Sequence, residues 1–374
     1  MDNLNCQICK NSVKRINFKI EKCVTSDTRV INTPLSHSYC LNCGFVFIDF
    51  DKRVDYEKFY KDEYEFLLDG EVEPTLDDGK YSDSLVEFYQ EFLENSSDKT
   101  FFDIGAGKGN FIQAVENKYN KLQKYALEPS KSYEILKTKN FLKEKYNSFF
   151  NSKDFTLKFD YISLIGILEH VPNPKEFLLD IKSIMNEDSY ILIEVPNFEN
   201  NKSDLLTVDH LSKFTENSIL NLFNICGINV IKKRVSNSVP MQFILKKSND
   251  HNSSINSLNN FDYINNAINY LKKIENDISN IENDKIVVYG QGLVLDYLIG
   301  INKINIENIV CVIDDNPLYQ GKKYKNKINI LSFDEFKISN LSNKTKKIFL
   351  AMNDCYHHKV NYKLDGFEVI GANI

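Results

Sequence analysis

Short apolar runs alternate with helical stretches through the middle of this chain. Thr100-Phe-Phe-Asp103, Tyr125-Ala-Leu-Glu128, Phe159-Asp-Tyr-Ile-Ser-Leu-Ile165 and Tyr190-Ile-Leu-Ile-Glu-Val195 read as buried strands. Between them, Phe111, Ile112 and Val115, and later Phe177, Leu178, Ile181 and Ile184, recur at helical spacing. Pro129 and Pro196 stop two of the strands, and Ser130 is placed to cap the helix after the first. Alternation of this kind predicts an α/β fold with a parallel sheet covered on both faces. One strand of the series stays unplaced: Phe149 and Phe150 lie near it, but the surrounding residues are polar. Thr215 to Cys226 reads as a helix closed by Gly227, and Asn229–Val235 and Met241–Lys246 as two adjacent strands. That closing antiparallel hairpin is unusual for a dinucleotide-binding sheet.

The flanks differ. Residues 1–55 form one β-rich unit. Residues 56–98 are a helical, aromatic lead-in carrying Tyr56, Phe59, Tyr60, Tyr64 and Phe66, then Leu85, Phe88, Tyr89 and Phe92. The sheet runs to residue 247, giving a central domain of 56–247. A Ser/Asn-rich linker follows, then an amphipathic helix with Ile264, Ile268, Leu271, Ile274, Ile278 and Ile281 at intervals of three or four; together these occupy 248–284. A second, Rossmann-like α/β unit fills 285–374, carried by Lys285-Ile-Val-Val-Tyr-Gly290-Gln-Gly292, Ile309-Val-Cys-Val-Ile-Asp314-Asp315 and Lys347-Ile-Phe-Leu-Ala351.

Composition narrows the function. Hydrophobic residues make up 42% and charged residues 26% of the 374, ordinary for globular domains. A net charge of -6 argues against a nucleic-acid binder. No apolar stretch approaches the ~18 residues of a membrane span, and the N-terminus lacks a secretory pattern, so a cytoplasmic protein is expected. Of 8 cysteines, Cys6 and Cys9, and Cys40 and Cys43, form two Cys-x-x-Cys pairs thirty residues apart. Paired thiolates in a reducing compartment fit a structural, four-coordinate zinc ion, with Cys23 and His37 as alternative ligands.

Three motifs carry the remaining chemistry. Asp103-x-Gly105-x-Gly107-x-Gly109 is a glycine turn after a strand, where the backbone can approach a ligand. Glu128 ends the next strand, placed to accept the ribose hydroxyls of an adenosyl group. A dinucleotide site uses similar parts; the closing hairpin and the next motif favour S-adenosylmethionine. Glu169 and His170, in Leu168-Glu-His-Val-Pro-Asn-Pro174, follow the fourth strand at the ligand-binding edge of such sheets. Asp209 and His210 sit in the loop before Thr215, where a His beside an acid can serve as an oriented general base.

With these residues in place, the chain resembles the bacterial sugar C-methyltransferases, which have an N-terminal zinc-binding domain, a seven-stranded class I methyltransferase core and a C-terminal Rossmann-like domain. The resemblance spans nearly the whole chain. It rests on the cysteine pairs, the Asp103–Gly109 turn, Glu128-Pro129, Leu168-Glu-His-Val171, Glu194-Val-Pro-Asn197, and the run Val312-Ile-Asp-Asp-Asn-Pro317 with Gln320-Gly-Lys322. It implies methyl transfer from S-adenosylmethionine to a nucleotide-linked sugar, with His210 as base, Asp209 in support, and His170 and Tyr64 (Tyr60 next) assisting. The family's Tyr-His-Glu-His loop is here Thr207-Val-Asp-His210, so the final His is kept while the Tyr and first His are absent. The reduced set also suits an O- or N-methyltransferase. A non-catalytic zinc-containing binding protein is the alternative from another class.

Overall fold

The computed structural model describes residues 5–64, 80–248, 254–281, 284–317 and 319–371. Phe66 and part of the Ser/Asn-rich run lie outside them. Strands are numbered along the chain. The first five are β1 (Val13–Arg15), β2 (Cys23–Val24), β3 (Val30–Ile31), β4 (His37–Cys40) and β5 (Val46–Ile48). The central ones are β6 (Thr100–Ile104), β7 (Gln123–Leu127), β8 (Glu144–Tyr146), β9 (Phe159–Ile165), β10 (Met185–Pro196), β11 (Ser212–Lys213), β12 (Ile228–Arg234) and β13 (Pro240–Lys247). The last six are β14 (Ile286–Tyr289), β15 (Ile309–Ile313), β16 (Lys323–Tyr324), β17 (Ile328–Leu331), β18 (Lys347–Leu350) and β19 (Glu368–Ile370).

The central sheet has seven strands in the order β12-β13-β10-β9-β6-β7-β8. Strands β8, β7, β6, β9 and β10 run parallel, and β13 inserts antiparallel between β10 and β12. This is the class I methyltransferase fold expected from the alternation and the closing hairpin. The parallel strands are apolar on both sides because both faces are covered. One face packs under helices Tyr81–Tyr89 and Asn110–Lys118 through Leu85, Phe101, Ile112 and Leu192. The other packs under helices Pro174–Ser183 and Glu216–Ile225 through Phe102, Ile162, Leu178 and Phe223. Asn173 caps the first of these, with Pro174 in its first turn, and Thr215 closes a capping box on the second.

Two local expectations are corrected. Ser130 stands two residues ahead of the helix's N-cap: its hydroxyl accepts from the Ser132 amide at 3.2 Å, and the short helix Tyr133–Leu136 begins after Ser132. The unplaced strand is β8, only three residues at the sheet edge, with Glu144 exposed.

A four-stranded N-terminal sheet has the order β1-β4-β5-β11. Its last member comes from far along the chain: Ser212 pairs with Phe47 and Lys213 with Val46. The third sheet, β16-β17-β15-β14-β18-β19, is parallel apart from β16. Helix Asp262–Ser279 buries Ile264, Ala267, Tyr270, Leu271, Ile274 and Ile278, and packs in a core shared by the N-terminal unit and this third sheet.

Candidate active site and cysteine cluster

A cavity of about 500 Å³ opens at the C-terminal ends of β6, β7, β9 and β10. That volume and position suit a small-molecule site on an open α/β sheet. Asp103, Gly105, Gly107, Glu128, His170 and Tyr64 all line it.

The turn after β6 forms one wall. The amides of Gly105 and Ala106 both donate to the Leu127 carbonyl, at 2.8 and 3.0 Å, so the turn is laced to the end of β7. Gly105 has φ +74°, and a Cβ there would lie 2.0 Å from Ile167 Cδ1. Gly109, at φ +81°, leads into helix Asn110–Lys118. Glu128 is buried, and its two oxygens accept from the amides of Gly107 and Ser130, each at 2.8 Å. Burial pushes its carboxyl above the usual range, opposed by those N–H donors. Asp103 is buried too and accepts from Ser163 Oγ at 2.6 Å. Glu194, from β10, accepts from Tyr81 Oη and Gln242 Nε2 on the same wall. A glycine wall without side chains, beside a buried carboxylate at the next strand end, fits an adenosyl group.

The same cavity meets an acid–base web through Tyr60, Tyr64 and His170. His170 Nδ1 lies 2.5 Å from Tyr60 Oη and 2.9 Å from the Asp209 carbonyl oxygen. Tyr60 Oη donates to Asp209 Oδ2 at 3.1 Å. Asp209 also accepts from the backbone N–H and hydroxyl of Ser26, at 2.8 and 2.5 Å. His210 takes a different partner from the one its neighbour in sequence suggested. Its Nδ1 lies 2.6 Å from Asp204 Oδ1, because the side chains of Asp209 and His210 diverge from the loop. Asp209 therefore supports Tyr60 and His170, and Asp204 supports His210. The two imidazoles meet edge to face, 4.7 Å between centroids. Tyr64 stacks at a tilt on Tyr60, 5.1 Å between ring centroids.

Electrostatics separate the members of this web. Burial and the neighbouring His210 hold His170 down at about 4, so it is neutral at pH 7. Burial would lower His210 as well, but the Asp204 carboxylate outweighs it and raises His210. The same ion pair and Lys213 hold Asp204 down at about 2 against its burial. Glu169 is pushed up to about 7 by burial, and its Oε2 has no hydrogen-bond partner among the described residues. Lys213, fully buried, donates to the carbonyls of Thr207 and His210 at 2.9 and 2.5 Å. Ser26, Asp204 and Lys213 were not singled out from the sequence. Asp204 sits in a polar run with no strand or helix period to mark it as buried.

The four paired cysteines converge. Cys6 Sγ lies 3.6 Å from Cys43 Sγ, Cys9 Sγ lies 3.4 Å from Cys40 Sγ, and all four sulfurs lie within 4.8 Å of one another. A tetrahedron with metal–sulfur bonds of ~2.3 Å has edges of about 3.8 Å, so the donor set fits zinc. The amides of Asn42 and Cys43 point at Cys40 Sγ, each at 3.4 Å, and would share its thiolate charge. Cys23 and His37 stand apart from this cluster: Cys23 is in β2 and His37 is buried in β4.

Among the described residues, no helix is long and apolar enough to cross a membrane. Residues 78–233 match a family model described as a methyltransferase domain. No curated protein sequence matches the chain. Similar solved structures include an S-adenosylmethionine-dependent methyltransferase from Clostridium acetobutylicum, 13% identical, TM-score 0.38, covering 46% of this chain and 93% of that one. They also include N,N-8-amino-8-demethyl-D-riboflavin dimethyltransferase (RosA) from Streptomyces davawensis, 15% identical, TM-score 0.37, covering 45% and 55%. A third is the mitomycin 7-O-methyltransferase MmcR, 18% identical, TM-score 0.35, covering 44% and 54%. This chain spans about half the length of the last two. The family match and the strand order agree: residues 78–233 carry a methyltransferase domain, built on the sheet of a class I methyltransferase.

Proposed function

We propose that the acceptor is a nucleotide-linked sugar, or a related precursor of a surface polysaccharide, methylated by base-assisted in-line transfer. The observation that carries this reading is the web of Tyr60, His170, Asp209, His210 and Glu169, which reaches through Tyr60 and His170 the same cavity that Gly105 and Gly107 line. S-adenosylmethionine supplies an electrophilic methyl group. Asp103, Gly105, Gly107, Gly109 and Glu128 would hold it, with the carboxylate of Glu128 toward the ribose. What the protein must add is removal of a proton from the acceptor and alignment of the exposed electron pair. The web contains neutral and charged members side by side, as that task requires. The sequence resemblance supports the sugar class, and Cys6, Cys9, Cys40 and Cys43 would hold a structural zinc ion.

O- or N-methylation is the second reading, favoured by Thr207 and Val208 at the loop positions where the resembled family has Tyr and His. The test is incubation with isotopically labelled methyl donor and a panel of nucleotide-linked sugars, with and without a ketone, followed by mass spectrometry. Label on a keto-sugar carbon supports the first reading, and label on oxygen or nitrogen the second. Label on none of the panel removes the sugar assignment.

A further inference from the structure

The hydrogen bonds around His170 bear on which of its nitrogens carries the proton. The Asp209 carbonyl only accepts, so Nδ1, 2.9 Å away, must donate to it. Tyr60 Oη, 2.5 Å from the same nitrogen, then also accepts from it and sends its own proton to Asp209 Oδ2. Every polar atom of this chain has one consistent role. The other ring nitrogen, Nε2, is left with its lone pair. Among the described residues it makes no hydrogen bond, its nearest carboxylate being Glu169 Oε1 at 4.0 Å. His170 lines the cavity, whereas His210 does not and has its Nδ1 tied to Asp204.

The arrangement depends on a residue outside the methyltransferase match. Ser26 follows β2 in the N-terminal unit and grips both oxygens of Asp209 with its amide and its hydroxyl. Asp209 is wholly buried, so its carboxylate must be satisfied by such donors. Without the hydroxyl, the carboxylate is held by the Ser26 amide alone and can swing Oδ2 away from Tyr60, which would then turn and donate to Nδ1. That would reverse the tautomer.

We propose that Ser26 is a positioning residue which, through Asp209 and Tyr60, fixes His170 as the Nδ1–H tautomer, and that His170 Nε2 is the atom that takes the acceptor's proton. Nε2 gains that proton and becomes imidazolium. The electron pair left on the acceptor forms the bond to the incoming methyl carbon, and the pair of the old carbon–sulfur bond stays on sulfur. The exchange of roles between His170 and His210 rests on the methyltransferase reading above and refines it.

The first test needs no acceptor. In full-length protein with ¹⁵N-labelled histidine, His170 is assigned by its loss in His170→Gln, and its ring nitrogens are read at pH 7. Protonated Nδ1 with bare Nε2 is the expected result; a proton on Nε2 overturns the proposal. In Ser26→Ala the Nε2–H form should appear, and Ser26→Thr, which restores the hydroxyl, should suppress it. A single unchanged tautomer in Ser26→Ala overturns the role of Ser26. S-adenosylmethionine binding, followed by calorimetry, should be unchanged in both variants. The second test uses methyl transfer to the sugar panel. Loss of about 10² to 10⁴-fold in kcat for His170→Gln is expected, against a smaller loss for His210→Gln. The reverse order overturns the base assignment. For Ser26→Ala, kcat should fall about tenfold with KM within about twofold. If wild-type protein methylates none of the panel, the sugar reading fails, while the nitrogen spectra still decide the tautomer.

Discussion

Gly105→Ala probes the proposed cofactor wall with a single methyl group. The backbone there sits at φ +74°, a conformation that costs an L-residue roughly 1–2 kcal/mol. The added Cβ would also lie 2.0 Å from Ile167 Cδ1 and 2.7 Å from Cγ1, well inside contact. Ile167 is only half-buried and can rotate, but it lines the cavity, so rotation drives it into the space a ligand would take. Overpacking of this kind costs about 1–3 kcal/mol. The two terms together give ~2–5 kcal/mol, of which the clash should be felt mainly in binding. At 1.4 kcal/mol per tenfold, S-adenosylmethionine affinity should fall about 5- to 150-fold. Calorimetry on four proteins checks this: wild type, Gly105→Ala, Ile167→Ala and the double variant. Trimming Ile167 removes the clash and leaves the backbone strain, so the double variant should recover most of the binding and little of the stability. Binding within twofold of wild type for Gly105→Ala would refute the reasoning. So would a double variant no better than the single one.

Other expectations follow from the same geometry. Glu128→Ala should weaken S-adenosylmethionine at least tenfold, because it removes the carboxylate and leaves the amides of Gly107 and Ser130 without it; titration calorimetry reads the loss. The purified chain should carry one zinc ion, measured by a chromogenic chelator after thiol modification, and Cys40→Ser should lower both metal content and melting temperature. Glu169 supplies a pH signature. Its carboxyl is raised from about 4.5 to about 7, so its contribution is complete below pH 4.5 and is lost as pH rises through 7. Glu169→Gln should therefore gain on wild type between pH 5 and pH 8, by at most about 3 kcal/mol, in denaturant titrations at the two pH values. An unchanged difference would show that Glu169 is ionised at little cost.

Most of the central sheet was legible because buried parallel strands write long apolar runs. β6, β7, β9 and β10 all carry them, and the amphipathic helix from Asp262 shows its period plainly. β8 was not legible: three residues at an edge, Glu-Lys-Tyr, need no apolar pattern. β10 begins at Met185, earlier than its apolar part, since an irregularity in register precedes Tyr190. The turn of Gly105 and Gly107 and the acid beside it could be read from the sequence, because close approach of the backbone leaves a mark in glycines. The partners within the web could not. Adjacency pointed to Asp209 for His210, but side chains of successive loop residues diverge, and His210 reaches six residues back to Asp204. Ser26 lies 183 residues from Asp209, and no local pattern joins them.

The pairing of β11 with β5 bears on how this chain can be cut. Ser212 and Lys213 complete the edge of the cysteine-bearing sheet, two residues beyond His210. A fragment confined to residues 80–248 would retain the whole seven-stranded sheet and the glycine turn but strip the backbone partner from that segment. Such a truncated protein should grip the methyl donor and be inert toward any acceptor. Grafting the amino-terminal portion onto another methyltransferase would likewise carry only half of a reaction centre, since the remaining half is threaded through the recipient's own loop.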